Sequence, residues 1–292
     1  METLVQLTLT SLTTGSMYAL AAVGLSLIWG ALGMLNMGHG AFMTLGAYAA
    51  MTAINALGLP PFLGIFVSLI VGAAIGILAH LLVAKWVIVQ DGAHTNIMVA
   101  TAGLAILIED SILKIYGGYP YPQPFSVTGS VSIGGVAVNL QSVFILLVAL
   151  VLVGVVAFLL LKTKFGRAIR ATAMNRDAAR LMGVRTETVF LQVMALAGAL
   201  AGVSGMLIST QATLSPMMGG APMLKAFVIC VVAGLGNVWG AGVMAIVLAF
   251  AEVVVGYSIG LHFGFPAMLL IVILVLIWRP EGLFGKERVV RL

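Results

Sequence analysis

The stretch Lys162–Arg185, KTKFGRAIRATAMNRDAARLMGVR, decides how this chain is read. It holds seven of the fourteen Lys and Arg residues of a sequence that is 62% hydrophobic and only 8% charged. The flanking segments, Leu140–Leu161 and Thr188–Ser209, are almost wholly apolar. Cations gathered between two membrane-length apolar runs stay on the cytoplasmic side. Residues 162–187 therefore read as a cytoplasmic loop of a multi-span membrane protein.

Composition leads to the same class. Mean hydropathy is +1.18, whereas a soluble domain carries roughly 25% charged residues. Apolar segments of about 15–25 residues, rising about 1.5 Å per residue, match a hydrocarbon layer of roughly 30 Å. They do not alternate as barrel strands do, so the expected fold class is an all-α integral membrane protein. No basic region precedes the first apolar run, which reads against a cleavable signal and for a retained first helix. The single cysteine, Cys230, lies in an apolar segment and reads as a small packing residue, with no internal disulfide. The formal charge of +5 gathers at span ends, so it is a topology signal and no nucleic acid is expected as a partner.

Before Leu140 lies Tyr116–Asn139, rich in Gly, Pro, Tyr and Ser, which reads as the main external loop and as a connector. Thr95–Ile115 and Phe62–Ala84 are the preceding spans, joined by a cytoplasmic turn, Lys85–His94, whose Trp86 suits the headgroup belt. The tail, Arg279–Leu292, carries four cations and belongs inside. An even number of crossings must then separate Arg185 from Arg279. Thr188–Ser209, Met223–Leu235, Ala241–Tyr257 and Phe265–Trp278 supply four, with interruptions expected at Gly234–Asn237 and at Pro266. Leu4–Leu57 is likewise broken around Gly30–Gly40. Short or Gly-broken segments in both halves point to discontinuous helices around a transport pathway. Eight to ten membrane segments are expected, in one domain covering residues 1–292.

A two-half internal repeat is expected as well, because Met37, Gly40, Ala41 and Met43 match Met217, Gly220, Ala221 and Met223 at an offset of 180 residues. The pairs Gly72/Gly76, Gly198/Gly202, Gly236/Gly240 and Gly256/Gly260 have the spacing that lets helices approach in lipid. Intramolecular packing is their expected use; a homodimer face is the alternative.

Within the basic loop, Asn175–Gly183 reads as a short capped helix. Asn175 caps it, Asp177 sits at the positive end of its dipole, and Gly183 supplies the left-handed residue that ends it. Ala178, Leu181 and Met182 share one face, with Arg176 and Arg180 pointing elsewhere. That apolar ridge either rests on the inner membrane surface or fits a groove in a cytoplasmic partner.

Four motifs in order, GLSLIWGALGMLNMGHGAFMTLGAY (Gly24–Tyr48), KFGRAIRATAMNRDAARLMGV (Lys164–Val184), AGLGNVWGA (Ala233–Ala241) and RPEGLFG (Arg279–Gly285), make the chain resemble the permeases of branched-chain amino acid ABC transporters. The resemblance implies a subunit of a bacterial inner-membrane importer. It also implies two ATP-binding cassette subunits, a second permease subunit, probably homologous, and an external solute-binding protein as partners. The helix carrying Asn175, Asp177, Ala178, Arg180, Leu181, Met182 and Gly183 is then the element that docks on an ATPase subunit. Two features depart from the family pattern: Ala41 stands where an acid usually follows the His-Gly pair, and His80, Lys85 and Trp86 form a sparser first turn. Cargo is therefore left open between hydrophobic amino acids and urea or short amides.

Ionisable and amide side chains inside spans mark pathways or buried pairs. Asn36, His39 and Gly40 fall in the first break and Asn237 in the second; each either lines a substrate path or fixes the break by hydrogen bonding. Glu252 is the most isolated acid, and a self-sufficient secondary transporter would use it as its ion site. Asp110 and Lys114 have the spacing of an ion pair one turn apart. His39, His80, His94 and His262 lack metal-ligand spacing, and no phosphate-binding Gly-x-x-x-x-Gly-Lys-Ser/Thr occurs. No cofactor is expected, and ATP would be bound by the partners.

Overall fold

A computed structural model describes residues 2–87, 93–133 and 136–285. The tail beyond 285 and part of the Lys85–His94 turn lie outside the described residues. The first helix, α1 (Glu2–Leu32), is apolar on all sides and is accordingly buried along most of its length, the behaviour of a central helix. It is followed by α2 (His39–Leu57) and α3 (Leu63–Ala79). A π-helical turn, His80–Ala84, and the short α4 (Lys85–Val87) extend α3. Then come α5 (Ala93–Tyr116) and α6 (Leu140–Lys162), both exposed on much of their surface to where lipid would lie. The basic loop folds as α7 (Lys164–Met174) and α8 (Arg176–Leu181). The second half contains α9 (Thr186–Ser209), α10 (Gly220–Ala233), α11 (Val238–Ser258) and α12 (Gly264–Trp278).

Eight helices among the described residues are long and apolar enough to cross a membrane, and α10 is a ninth, shorter apolar helix. The class is thus all-α, with the expected breaks. The helices break where backbone needs glycine: Gly33 (φ 67°) ends α1, and Gly234 (φ 95°) and Gly236 (φ 87°) separate α10 from α11. Pro266 does not interrupt the last span as expected. It sits in the first turn of α12, where a missing N–H leaves no helical hydrogen bond unmade.

Helix packing is repeated between the halves. The most extensive contacts are α3 with α9 and, in the exchanged arrangement, α11 with α1. The segments that match at an offset of 180 residues meet in the middle: a Cβ added at Gly40 would lie 2.8 Å from the Gly219 carbonyl oxygen, and Thr44 Oγ1 accepts a 3.1 Å hydrogen bond from the Gly219 N–H. Gly72 and Gly76 lie against the backbone of Gly198 and Met194, so these small-residue pairs do serve intramolecular packing.

The external segment has structure of its own. Strands β1 (Ser130–Ile133) and β2 (Val136–Asn139) form an antiparallel hairpin with Val131 opposite Val138. Tyr121 and Leu214 exchange two 2.9 Å backbone hydrogen bonds, tying the loop to the α9–α10 connection. Phe125 is buried beside Ala50, Met206 and the Phe144 ring, whose centroid is 5.0 Å away. Buried aromatic packing fixes this loop to the helical body.

Candidate functional site

The basic loop is rigidly built. Thr163 adopts an extended conformation after α6, and its Oγ1 accepts the Gly166 N–H at 3.3 Å to start α7. The turn is tight enough that Gly166 lies against the Leu160 carbonyl, where no Cβ would fit. The Arg170 guanidinium donates to that same carbonyl, giving a partner to an acceptor left open at the end of α6. Asn175 Oδ1 then accepts the Ala178 N–H at 2.9 Å, which is the expected cap of α8, and Gly183 (φ 85°) terminates it. Ala179 is buried and the Arg176 guanidinium stacks 5.0 Å from the centre of the Phe190 ring on α9. These two anchors orient α8 so that Ala178, Leu181 and Met182 face outward, Leu181 89% and Met182 85% exposed. Met174, at the end of α7, is equally uncovered. Phe190 had no signal in the sequence, because nothing in local spacing pairs it with Arg176.

The first break is held by polar groups. Asn36 Oδ1 accepts the Gly38 N–H at 2.9 Å, and Thr101 Oγ1 on α5 accepts the Met37 N–H at 3.0 Å. His39 is completely buried with Nε2 3.1 Å from the Ala21 carbonyl of α1. Asn36 is buried too. Asn36 thus satisfies backbone of the break itself, and His39 ties the start of α2 to the middle of α1. Gly40 is the point of contact with Gly219 described above.

The second break is closed by two of the sequence motifs together. Asn237 Oδ1 accepts the Gly240 N–H at 2.9 Å, capping α11, while its Nδ2 donates to the Phe284 carbonyl at 2.9 Å. The Leu283 and Phe284 N–H groups donate to the Val232 and Ala233 carbonyls at 2.8 and 3.1 Å. The RPEGLFG segment therefore supplies the donors that the end of the short α10 lacks.

Glu252 is not isolated. Its Oε1 lies 2.5 Å from Lys225 Nζ of α10, and Lys225 Nζ also donates to the Tyr18 hydroxyl of α1 at 2.7 Å. The two charged side chains are only 19% and 17% exposed, so in this low-dielectric setting each charge depends on the other. Lys225 escaped the sequence reading although it is the only cation inside the Met223–Leu235 run; that was the available signal. Asp110 and Lys114 pair at 3.0 Å on the exposed side of α5, as their spacing implied. Asn237 and Glu252 are fifteen residues apart on α11, about 22 Å along a helix, so the five candidate pathway residues do not form one site. Among the described residues no group of three or more His, Cys, Asp or Glu side chains could hold a metal ion. The Cys230 thiol is buried 3.1 Å from the Ala22 carbonyl, a packing role.

A polytopic bundle with broken central helices, repeated halves and a capped helix presented on a basic loop defines a membrane permease subunit. The family model described as "Branched-chain amino acid transport system / permease component" matches residues 7–278, and the chain belongs to that family. It is similar, at 27% identity over 95% of this chain and 94% of the relative, to the high-affinity branched-chain amino acid transport system permease protein BraD of Pseudomonas aeruginosa. Identity is 29%, over 93% and 90%, to the probable branched-chain amino acid transport permease protein LivH of Methanocaldococcus jannaschii. A shorter match, 36% over 32% of this chain and 28% of the relative, is to the autoinducer 2 import system permease protein LsrC of Escherichia coli.

Proposed function

We propose that this permease is the transmembrane subunit of an ATP-driven importer that moves branched-chain or other hydrophobic amino acids across a bacterial inner membrane. Its partners are two ATP-binding cassette subunits, a second, homologous permease and an external solute-binding protein. The loop 162–187 and the tail from Arg279 lie in the cytoplasm, which puts the amino-terminal end of α1 outside if α1, α2, α3, α5 and α6 each cross once. The observation that carries this reading is α8: a helix capped by Asn175, ended by Gly183 and anchored through Ala179 and Arg176, yet with Leu181 and Met182 uncovered. A rigid mount beneath an open apolar ridge suits transmission of force from a partner, because displacement of the ridge is passed to α9 and the α6 end rather than absorbed.

Closure of the ATPase subunits would push Asn175–Gly183 and rock α9 with the helices packed on it. Asp177 and Arg180, both exposed, supply charges at the rim of the contact. The test is affinity isolation of the tagged chain from its native membrane with its co-purifying subunits, followed by assays of ATP hydrolysis and leucine uptake. Recovery of two ATPase subunits and a second permease, with coupled activity lost in Leu181→Asp or Met182→Asp while membrane insertion is unchanged, is the expected result. Undiminished uptake by either variant would remove the docking role.

A further inference from the structure

A cavity of about 410 Å³ lies between α1 and α11, at the end where α1 begins and α11 finishes. Its wall on α1 is a single stripe that includes Gln6, Leu7, Thr10 and Thr14. The next residue along that stripe, one turn deeper, is Tyr18, the hydrogen-bond partner of Lys225. On α11 the wall runs from Tyr257 and Gly256 through Val253 to Glu252. Glu252 thus belongs both to the cavity wall and to the Lys225–Glu252–Tyr18 cluster. The cleft descends from the helix ends onto a buried ion pair. The second carboxylate oxygen of Glu252 is buried and has no hydrogen bond from the described residues.

We propose that this cluster and the cleft above it form a subsite for the zwitterionic head of an α-amino acid. Glu252 receives the α-ammonium and Lys225 the α-carboxylate, while the Thr14 hydroxyl and the Gln6 amide supply further hydrogen bonds. Leu7, Val253 and Leu261 offer apolar surface to an aliphatic side chain. The subsite rests on the importer reading above, which it narrows to a place and a chemistry. Three physical points support it. First, a zwitterion inserted between two opposite charges adds no net charge to a poorly solvated site, so both protein charges stay matched. Second, a singly charged ligand would leave one of them without a partner, and a site built around paired polar groups rejects such an analogue strongly. Third, the volume falls within the roughly 300–1,000 Å³ of small-molecule sites, and polar and apolar side chains share the lining. No bond is made or broken; the resident pair opens, exchanges partners with the ligand and closes again when it leaves.

The test is thiol protection in the full chain reconstituted in nanodiscs. Thr10→Cys places an accessible thiol on the cleft wall, whereas the native Cys230 is buried and does not compete for the label. The probes are leucine, 3-methylbutylamine, which lacks the carboxylate, and 4-methylpentanoate, which lacks the ammonium. Leucine at about ten times its dissociation constant slows maleimide labelling about tenfold by mass action, and neither analogue does so at the same concentration. In Lys225→Met/Glu252→Gln, which leaves no unmatched charge, the protection disappears while the protein still elutes as a single species. Equal protection by either analogue, no protection by saturating leucine, or protection that survives the double substitution would each overturn the subsite. Should the double variant fail to fold, the three-ligand comparison on Thr10→Cys decides alone. Leucine uptake by the reconstituted wild-type transporter separates the two readings. Uptake without protection removes the subsite only, whereas lack of uptake removes the importer of amino acids.

Discussion

The α3–α9 and α1–α11 interfaces occupy exchanged positions in the two halves, yet they are made of different material. Between α3 and α9 the backbones touch: Gly72 against Gly198, Gly76 against the Met194 carbonyl, Gly202 against the Ser68 carbonyl. Between α1 and α11 close approach occurs at Gly15, where an added Cβ would lie 2.9 Å from Ile246 Cα, and beyond it the cleft opens onto Lys225 and Glu252. In lipid, where burial of apolar surface gives no drive for helix association, glycine contacts supply dispersion and Cα–H···O attraction at short range. The first interface is therefore a fixed seam. On the subsite proposed above, the polar cluster beside the cavity exchanges partners with a ligand, so the second interface is the one that rearranges. One architecture repeated with two chemistries would then give the molecule a stationary side and a working side.

Substitutions at glycine probe that contrast most severely. Gly72→Leu or Gly198→Leu must separate two backbones that have no flexible side chain to yield, so the cost exceeds the about 1–3 kcal/mol usual for overpacking. The expected outcome is loss of monodisperse protein on size-exclusion chromatography in detergent. Gly256→Ala, on the cleft side, meets nothing nearer than 3.8 Å and should leave elution and thermal stability unchanged. If the two sites respond alike, the seam is no more fixed than the cleft.

The ion pair ranks next. Lys225→Met alone leaves Glu252 as a buried charge without its counter-ion, a loss of about 3–5 kcal/mol for pairs of this kind. The double substitution Lys225→Met/Glu252→Gln removes both charges and should regain most of that stability. Thermal unfolding followed by tryptophan fluorescence in detergent measures both. A single variant as stable as the wild type would mean that water reaches the pair freely, and the contrast with the glycine seam would shrink to one of shape.

What was legible in the sequence follows from what is local. Most span positions, the helical fold of the basic loop, the capped α8 and the Asp110–Lys114 pair arise from hydrophobic runs, charge placement or spacing within one or two turns, and these lie where the residues indicated. Gly72/Gly76 and Gly198/Gly202 were legible as packing elements, though not that they meet each other, whereas Gly256/Gly260 has the same spacing and no close neighbour. The Lys225–Glu252–Tyr18 cluster draws on three helices, with Tyr18 more than 200 positions from the other two residues, and only tertiary packing creates it. His39 and Asn36 were ambiguous because a polar residue in an apolar run satisfies either a ligand or the protein's own backbone, and local spacing does not distinguish the two. Pro266 misled for a related reason: proline breaks a helix interior but suits a first turn, and the sequence does not locate that turn to within a residue.

A subtler effect concerns the mount of α8, a small fixed element to set beside the large fixed seam. Asn175→Ala removes the Oδ1 that accepts the Ala178 N–H, and loss of such a cap costs about 1 kcal/mol of helix stability. Because α8 has only six residues, that loss falls on nearly its whole length, and the ridge bearing Leu181 and Met182 should fray while the glycine seam stays intact. Amide hydrogen exchange of the 175–183 segment should quicken about fivefold for a change of that size, with exchange in α9 beyond Phe190 unaltered. Asn175→Asp, which keeps a side-chain acceptor and adds a negative charge at the positive end of the helix, should restore protection. If Asn175→Ala also speeds exchange through α9, the loop and the seam unfold as one unit and the division into a mounted ridge and an independent scaffold is wrong. If neither segment responds, Ala179 and the Arg176–Phe190 stack hold α8 without its cap, and the rigidity of the ridge lies in its anchors.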